Sequence, residues 1–294
     1  CYWPPRSSLF LKHQTFNHKT IMNPIGIMQG RLSPPSDGKM QSFPWSSWKE
    51  EFPLAKECGF QLIEWTLDQD RLYENPLMTK SGRQEIRSLI EMHGIQIWSL
   101  TGNCFMQAPF YKANGERKST LLNDFKNIIL SCSHMGIGNI LIPLVDDGRL
   151  GNSSQEKSLF EGLSEVTPLL EKLKMQISLE SDFEPDRLAK FIGMLEPELF
   201  GMTYDIGNSA SLGYDAGEEI SAYGERIVNV HVKDRVKGNG TVPLGQGDAD
   251  FETVFSALKK ISYMGPLILQ VARDDHLPEA KWAKINRTFV KNYL

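Results

Sequence analysis

Gln176-Ile177-Ser178-Leu179-Glu180, Gly201-Met202-Thr203-Tyr204-Asp205 and Ile227-Val228-Asn229-Val230-His231-Val232 are three short, mostly apolar runs. The first two end on a carboxylate, and the third carries an imidazole one residue before its end. Moving outward, the same kind of run recurs as Ile25–Gln29, Gln61–Trp65, Ile95–Leu100 and Asn139–Leu144, and again as Leu267–Val271. Each is short and rich in Ile, Leu, Val, Met or Trp, as expected of a parallel strand buried on both faces. Amphipathic helical patterns fill the gaps. Arg83–His93 stops at Gly94 and Leu121–Met135 stops at Gly136, both as glycine caps predict. Phe160–Lys172, Pro185–Met194, Ala216–Tyr223, Phe251–Ile261 and Ala280–Asn292 complete the set. The stretch Ser47–Gly59 reads as a further helix with a Ser cap, locally disturbed by Pro53. Eight right-handed strand–helix units predict a single α/β (β/α)₈ TIM barrel. A doubly wound sheet would place a glycine-rich turn after its first strand, and Gly30-Arg31-Leu32-Ser33 is not GxGxxG.

Bulk composition agrees. The chain has 294 residues, 40% hydrophobic and 23% charged, with a net charge of −4. That length suits one barrel, and the charge argues against a broad nucleic-acid footprint. No apolar run is long enough to span a bilayer. Cys1, Cys58, Cys104 and Cys132 show no CxxC spacing, so a disulfide framework is not expected. Reduced thiols in a cytoplasmic protein are the expectation. Residues 1–21 lack periodicity and are read as a disordered or non-native arm. The barrel is expected over 22–294, with Met22 as its natural start.

In such a barrel the active site forms where strands end. The informative side chains are therefore Gln29 and Arg31, then Glu64 and Asp68, then Asn103, Asp146 and Asp147. In the second half they are Glu180 and Asp182, Asp205 and Asn208, His231 with Lys233 and Asp234, and Gln270 with Arg273. One charge at a strand edge means little. Consecutive strands ending in Glu180, Asp205, His231 and Gln270 converge on a set suited to one divalent ion, Mn²⁺, Mg²⁺, Co²⁺ or Zn²⁺.

Around these residues the sequence resembles a family. Tyr204-Asp205-Ile206-Gly207-Asn208, His231-Val232-Lys233-Asp234, Val242-Pro243-Leu244-Gly245-Gln246-Gly247 and Gly265-Pro266-Leu267 carry the likeness, supported by Gly59-Phe60-Gln61-Leu62-Ile63-Glu64. They resemble the xylose-isomerase-like barrels, in the branch of L-ribulose-5-phosphate 3-epimerases and hexulose-6-phosphate isomerases. The resemblance implies a metal held by Glu, Asp, His and Glu on successive strands, and an isomerase or epimerase acting on a sugar or sugar phosphate through an enediolate. Glu180, Asp205 and His231 match the first three positions. The fourth is Gln270, which can lend an amide oxygen but cannot take a proton.

The catalytic candidates are thus Glu180, Gln270 and Glu64. Glu180 is left as the one obvious base, which tilts the expectation toward aldose–ketose isomerisation and leaves epimerisation open. Glu64 is a candidate for orienting a substrate hydroxyl or His231. Arg31, Asn208, Lys233, Arg235 and Arg273 are the candidates for holding substrate, including a phosphate or carboxylate, and Lys237 is a further cation nearby. The glycines at 238, 240, 245 and 247 predict a flexible loop, a lid or an anion nest. Two rivals stand beside the enzyme reading. One is a weakened barrel that binds a sugar-like ligand without turnover, suggested by Gln270. The other is an apurinic endonuclease, which would need several further His and acidic ligands. No membrane or nucleic-acid partner is expected, and pairing of copies into a homo-oligomer is open.

Overall fold

The computed structural model describes residues 23–36 and 41–294. The readings of residues 1–21 and of Met22 lie outside the described residues. Among the described residues ten strands run in chain order: β1 (Ile25–Met28), β2 (Leu62–Thr66), β3 (Gln96–Thr101), β4 (Asn139–Leu144), β5 (Gln176–Ser181), β6 (Phe200–Asp205), β7 (Ile227–Val232), β8 (Asp234–Arg235), β9 (Thr241–Val242) and β10 (Leu267–Leu269). Eight of them pair in the closed order β1-β10-β7-β6-β5-β4-β3-β2, and β8 with β9 forms a separate hairpin. Pairing of Gly26 with both Leu62 and Ile268 closes the ring. A Cβ on Gly26 would lie 2.6 Å from Ile268 Cδ1 and 2.8 Å from Leu62 Cβ, so only glycine fits there. The expected TIM barrel is therefore what the chain forms.

The helices are α1 (Glu51–Cys58), α2 (Lys80–His93), α3 (Asn103–Gln107), α4 (Gly115–Met135), α5 (Ser153–Leu173), α6 (Pro185–Gly193), α7 (Ile206–Leu212), α8 (Ala216–Tyr223), α9 (Phe251–Lys260) and α10 (Glu279–Lys291). Two expectations about α1 need correction. It starts at Glu51, after Glu50 rather than a Ser47 cap. Pro53 is then its third residue, where a backbone N–H has no intrahelical partner, so the proline disturbs nothing. The short helices α3 and α7 and the β8–β9 hairpin carry too few residues to show a periodicity, and the sequence reading passed over them. No described helix is long and apolar enough to cross a membrane.

The strands are not apolar on both faces. On β5, Ile177 and Leu179 point outward into the main core, while Ser178 and Glu180 belong to the polar interior. The same alternation gives Met202 and Tyr204 outside, Thr203 and Asp205 inside; then Val230 and Val232 outside, Asn229 and His231 inside. The large apolar core thus lies between barrel and helices. Among the described residues, a small cluster of Met28, Leu62 and Ile268, flanked by Trp98, is apolar inside the ring. Period-two alternation on parallel strands places the polar set on one surface that faces inward.

The first loop is held on both of its hydrogen-bonding sides. Gly30, at φ +88°, turns the chain out of β1, and a Cβ there would lie 3.0 Å from the Ser42 carbonyl. The fully buried Glu51 carboxylate accepts from Gly30 N at 2.9 Å, Leu32 N at 3.1 Å and Ser33 Oγ at 2.8 Å. Arg273 donates to the Gly30 and Ser33 carbonyls at 2.6 and 2.7 Å. Burial pushes the Glu51 carboxyl from 4.5 up to about 7, against the pull of these donors and of Arg273. Between those values the unfolded chain has released this proton and the folded chain still holds it. Stability from this site is therefore complete below about pH 4.5 and declines as pH rises toward 7. Glu51→Gln cannot ionise. The stability difference between variant and parent should shift in the variant's favour across that window, by at most about 1.4 kcal/mol per pH unit. Urea denaturation at successive pH values measures it, and parallel stability curves would refute the assignment.

Candidate metal centre and barrel mouth

His231 sits near the end of β7 and is fully buried. Its Nε2 lies 2.7 Å from Glu64 Oε1, reaching across the barrel interior to β2. Glu64 is equally buried and accepts further hydrogen bonds from Ser99 and Thr101 hydroxyls and from Asn229 Nδ2 at 2.8 Å. Burial alone would raise Glu64, but the imidazole and the two hydroxyls outweigh it and hold the carboxyl below its usual range. A carboxylate only accepts, so Nε2 carries the hydrogen and the lone pair or second proton belongs to Nδ1. Nδ1 is buried without any hydrogen-bond partner. It faces Asp205 Oδ2 at 3.9 Å.

Glu180, Asp205 and His231 offer ligand atoms that all lie within 4.8 Å of one another. The sequence reading brought these three together, and the structure does so as well. Asp205 also caps α7, its Oδ1 accepting from Asn208 N at 2.8 Å. Asn208 Nδ2 donates to Glu180 Oε1, and Arg235 Nη1 donates to Asn208 Oδ1 at 2.8 Å. Burial, then the nearby Asp205 charge, push the Glu180 carboxyl up to about 7, although His231, Lys233 and Asn208 pull the other way. Burial would lower the His231 imidazole, yet Glu64, Glu180 and Asp205 together raise it. A carboxyl raised beside a second acid and an orphaned imidazole nitrogen are the donor set a divalent cation satisfies. The residues present fit such an ion.

Gln270 follows β10. Its Oε1 accepts from Lys233 Nζ at 3.0 Å, and its Nε2 donates to Gln41 Oε1 at 2.7 Å. Lys233 Nζ also lies 3.0 Å from Asp205 Oδ2. Glu64 has its hydrogen-bond partners in Ser99, Thr101, Asn229 and the His231 imidazole. Arg273 donates through both Nη atoms to the carbonyls of the first loop. Arg31 is buried beside Gln41, with Nη2 3.5 Å from Gln41 Oε1; burial and the Arg273 charge lower it to about 10. Arg235 stays at the mouth through Asn208 while its other nitrogens bind the Asn239 carbonyl.

The glycine-rich loop after β7 is an anion nest already filled from within the chain. Asp234, fully buried, accepts from Gly245, Gly247 and Ala249 amides at 2.8, 2.9 and 3.2 Å. Trp65 and Phe105 are core residues. Trp65 is fully buried with Nε1 on Asn75 Oδ1, and Phe105 packs edge-on against Phe125. The sequence reading missed Ser99, Thr101 and Asn229, which grip Glu64, and Gln41, which reaches Gln270. Asn229 had a signal, since it lies two residues before His231 and shares its face. Gln41 had none, because a loop residue has no period. Cys58, Cys104 and Cys132 are free and buried, and burial raises each thiol.

Comparison with known proteins places this geometry. The model of the xylose isomerase-like TIM barrel family matches residues 52–293. The chain is 26% identical over 233 residues to the L-ribulose-5-phosphate 3-epimerase UlaE of Escherichia coli, covering 76% of this chain and 82% of that protein. D-Psicose 3-epimerase from Clostridium cellulolyticum, solved with D-tagatose, superposes with a TM-score of 0.73 at 13% identity, over 92% of this chain and 99% of that one. The IOLI protein with a bound zinc atom superposes with a TM-score of 0.70 at 18% identity, over 92% and 99%. The closed parallel barrel, the buried Glu–Asp–His cluster at its mouth and the match over most of the chain lead to one assignment: this protein belongs to the xylose isomerase-like TIM barrel family.

Proposed function

We propose that the chain is a divalent-metal-dependent isomerase or epimerase acting on a sugar or sugar phosphate through an enediolate. The observation that carries this is His231: its Nε2 is locked on Glu64 while its buried Nδ1 faces Asp205 without a partner. Glu180, Asp205 and His231 would hold the ion, with the Gln270 amide oxygen as a weak fourth donor. Bound there, a divalent ion would act as a Lewis acid toward a substrate carbonyl and its neighbouring hydroxyl. The relatedness to a ribulose-phosphate 3-epimerase supports the substrate class.

The chain's own residues do the rest. Glu180 takes the proton from the carbon next to the carbonyl, because it is the carboxylate at this mouth with a raised affinity for a proton. Returning that proton to the adjacent carbon on the same face exchanges aldose for ketose; the hydroxyl proton moves to the old carbonyl oxygen, so the reaction is balanced without a redox partner. Asn208 orients Glu180 and is itself fixed by Arg235. Asn208, Arg235 and Lys233 are the substrate contacts on this side, and Arg31 supplies positive charge at the first loop for an anionic substrate group. The amide at Gln270 cannot serve as a second base, which favours one-face isomerisation.

Two experiments test this. In the first, Mn²⁺ binding is measured by calorimetry for Asp205→Ala, His231→Ala and Glu64→Gln. The first two should lose binding, and Glu64→Gln should weaken it roughly 10–100-fold by releasing the imidazole. Parent-like affinity in Asp205→Ala and His231→Ala would remove the metal assignment. In the second, ketose and ketose-phosphate panels are incubated with the protein in D₂O and exchange at C1 and C3 is followed by NMR. Glu180→Gln should lower exchange about 10²–10⁴-fold. Undiminished exchange in that variant would show that another group is the base.

A further inference from the structure

Four hydrogen bonds link five side chains across the mouth. Lys233 Nζ donates to Gln270 Oε1 at 3.0 Å, Gln270 Nε2 to Gln41 Oε1 at 2.7 Å, Gln41 Nε2 to Asn103 Oδ1 at 3.3 Å, and Asn103 Nδ2 to Asp68 Oδ1 at 3.0 Å. The ends of this row fix its direction. An ammonium only donates and a carboxylate only accepts, so each of the three amides between them has one allowed orientation. Asp68 Oδ2 also accepts from Phe43 N at 2.8 Å, which ties the backbone next to Gln41 to the same carboxylate. Gln270, Asn103 and Asp68 are buried, and Gln41 is half-buried at the outer side.

We propose that Gln270 is a positioning residue kept as an amide by this one-way row, and that the row seats Gln41 over the mouth as a specificity-determining contact for substrate hydroxyls. The proposal deepens the reading above and rests on it in one respect, that a polyhydroxy substrate occupies this mouth. Gln270 Nε2 uses one hydrogen for Gln41 and keeps a second, while the second hydrogen of Gln41 Nε2 is held only weakly, by Met28 Sδ at 3.9 Å. A free donor on Gln270 and a weakly held one on Gln41 therefore lie side by side, which suits a pair of sugar hydroxyls.

A carboxylate at position 270 is incompatible with the row. It would accept from Lys233 but could not donate to Gln41. Gln41 would turn its amide to donate, which sets its NH₂ against Arg31 Nη2, now 3.5 Å from Gln41 Oε1. Asn103 would turn in response, and the Asn103 carbonyl would then face the Asp68 carboxylate, so a second conflict falls on the far side of the mouth, at a residue that does not touch Gln270. A buried pair of facing acceptors is costly, because neither can be satisfied. Asp68→Asn supplies a donor to the Asn103 carbonyl and relieves that conflict in part, at the cost of the bond that Asp68 Oδ1 also accepts from Gln107 Nε2 at 2.9 Å.

The test is a double-mutant cycle on Gln270→Glu and Asp68→Asn, with Gln41→Glu and Asp68→Asn as a second cycle that leaves the barrel interior unchanged. Two readouts are followed: amide hydrogen exchange of the segment 41–45, and KM against kcat for whichever sugar the parent converts. Gln270→Glu and Gln41→Glu should each speed exchange of the segment and raise KM, both roughly tenfold. Adding Asp68→Asn should recover part of both losses, although Asp68→Asn alone should be harmful. Additive effects in both cycles, or unchanged exchange and KM in the single variants, would overturn the proposal. If no sugar is converted by the parent, the functional reading fails, and the exchange cycle still decides whether the row exists.

Discussion

A histidine and a glutamate with no solvent exposure face each other at 2.7 Å across the interior of the barrel. Removing two ionisable groups from water costs several kcal/mol each, and their attraction offsets that only when the remaining hydrogen-bonding capacity is also met. Here it is met on the Glu64 side by Ser99 and Thr101 on the neighbouring strand β3 and by Asn229 on β7, the strand of His231 itself. It is not met on the His231 side, where Nδ1 has no partner. The asymmetry is what makes the pair a device rather than a buried salt bridge. One nitrogen is immobilised so that the other points at Asp205 and Glu180. The barrel's polar lining follows from this demand, since an apolar interior could not hold Glu64 charged.

The barrel was legible in the sequence because eight short apolar runs separated by glycine-ended helices have few other solutions. The cluster of Glu180, Asp205 and His231 was legible for a related reason: strand ends in a parallel barrel meet at one mouth, so the three had to be neighbours. Reading the runs as apolar on both faces passed over their alternation. Ile177-Ser178-Leu179-Glu180 and Val230-His231-Val232 alternate residue by residue, and pairing shows that the polar set of each faces inward. Pro53 misled because its effect depends on where the helix starts, and a shift from Ser47 to Glu51 turns a helix breaker into a harmless first-turn residue. The cations misled for a different reason. Position at a strand end does not say where a long side chain goes, and Arg273 turned back to staple the loop that carries Arg31.

That first loop shows how the site is assembled from opposite sides of the ring. Glu51 holds the N–H groups of the turn and Arg273 holds its carbonyls, so the turn is fixed before any ligand arrives. Asp68 then fixes the chain again at Phe43, where the ring packs against Trp45, Trp48 and Trp65. Between these anchors the loop delivers Gln41 to Gln270. The replacement of an expected carboxylate by Gln270 is therefore coherent with its surroundings. An amide links Lys233 to the first loop, and a carboxylate would not.

The central claim is that His231 binds a divalent ion through Nδ1, with Glu64 holding Nε2. It is tested most directly by a crystal structure of the Mn²⁺-soaked protein, recorded at the manganese edge so that anomalous density marks the ion. The account predicts one peak within ligand distance of His231 Nδ1, Glu180 and Asp205, with the Nε2–Glu64 contact intact. A peak bound through Nε2 with Glu64 displaced, or no peak at this mouth under saturating Mn²⁺, would contradict it.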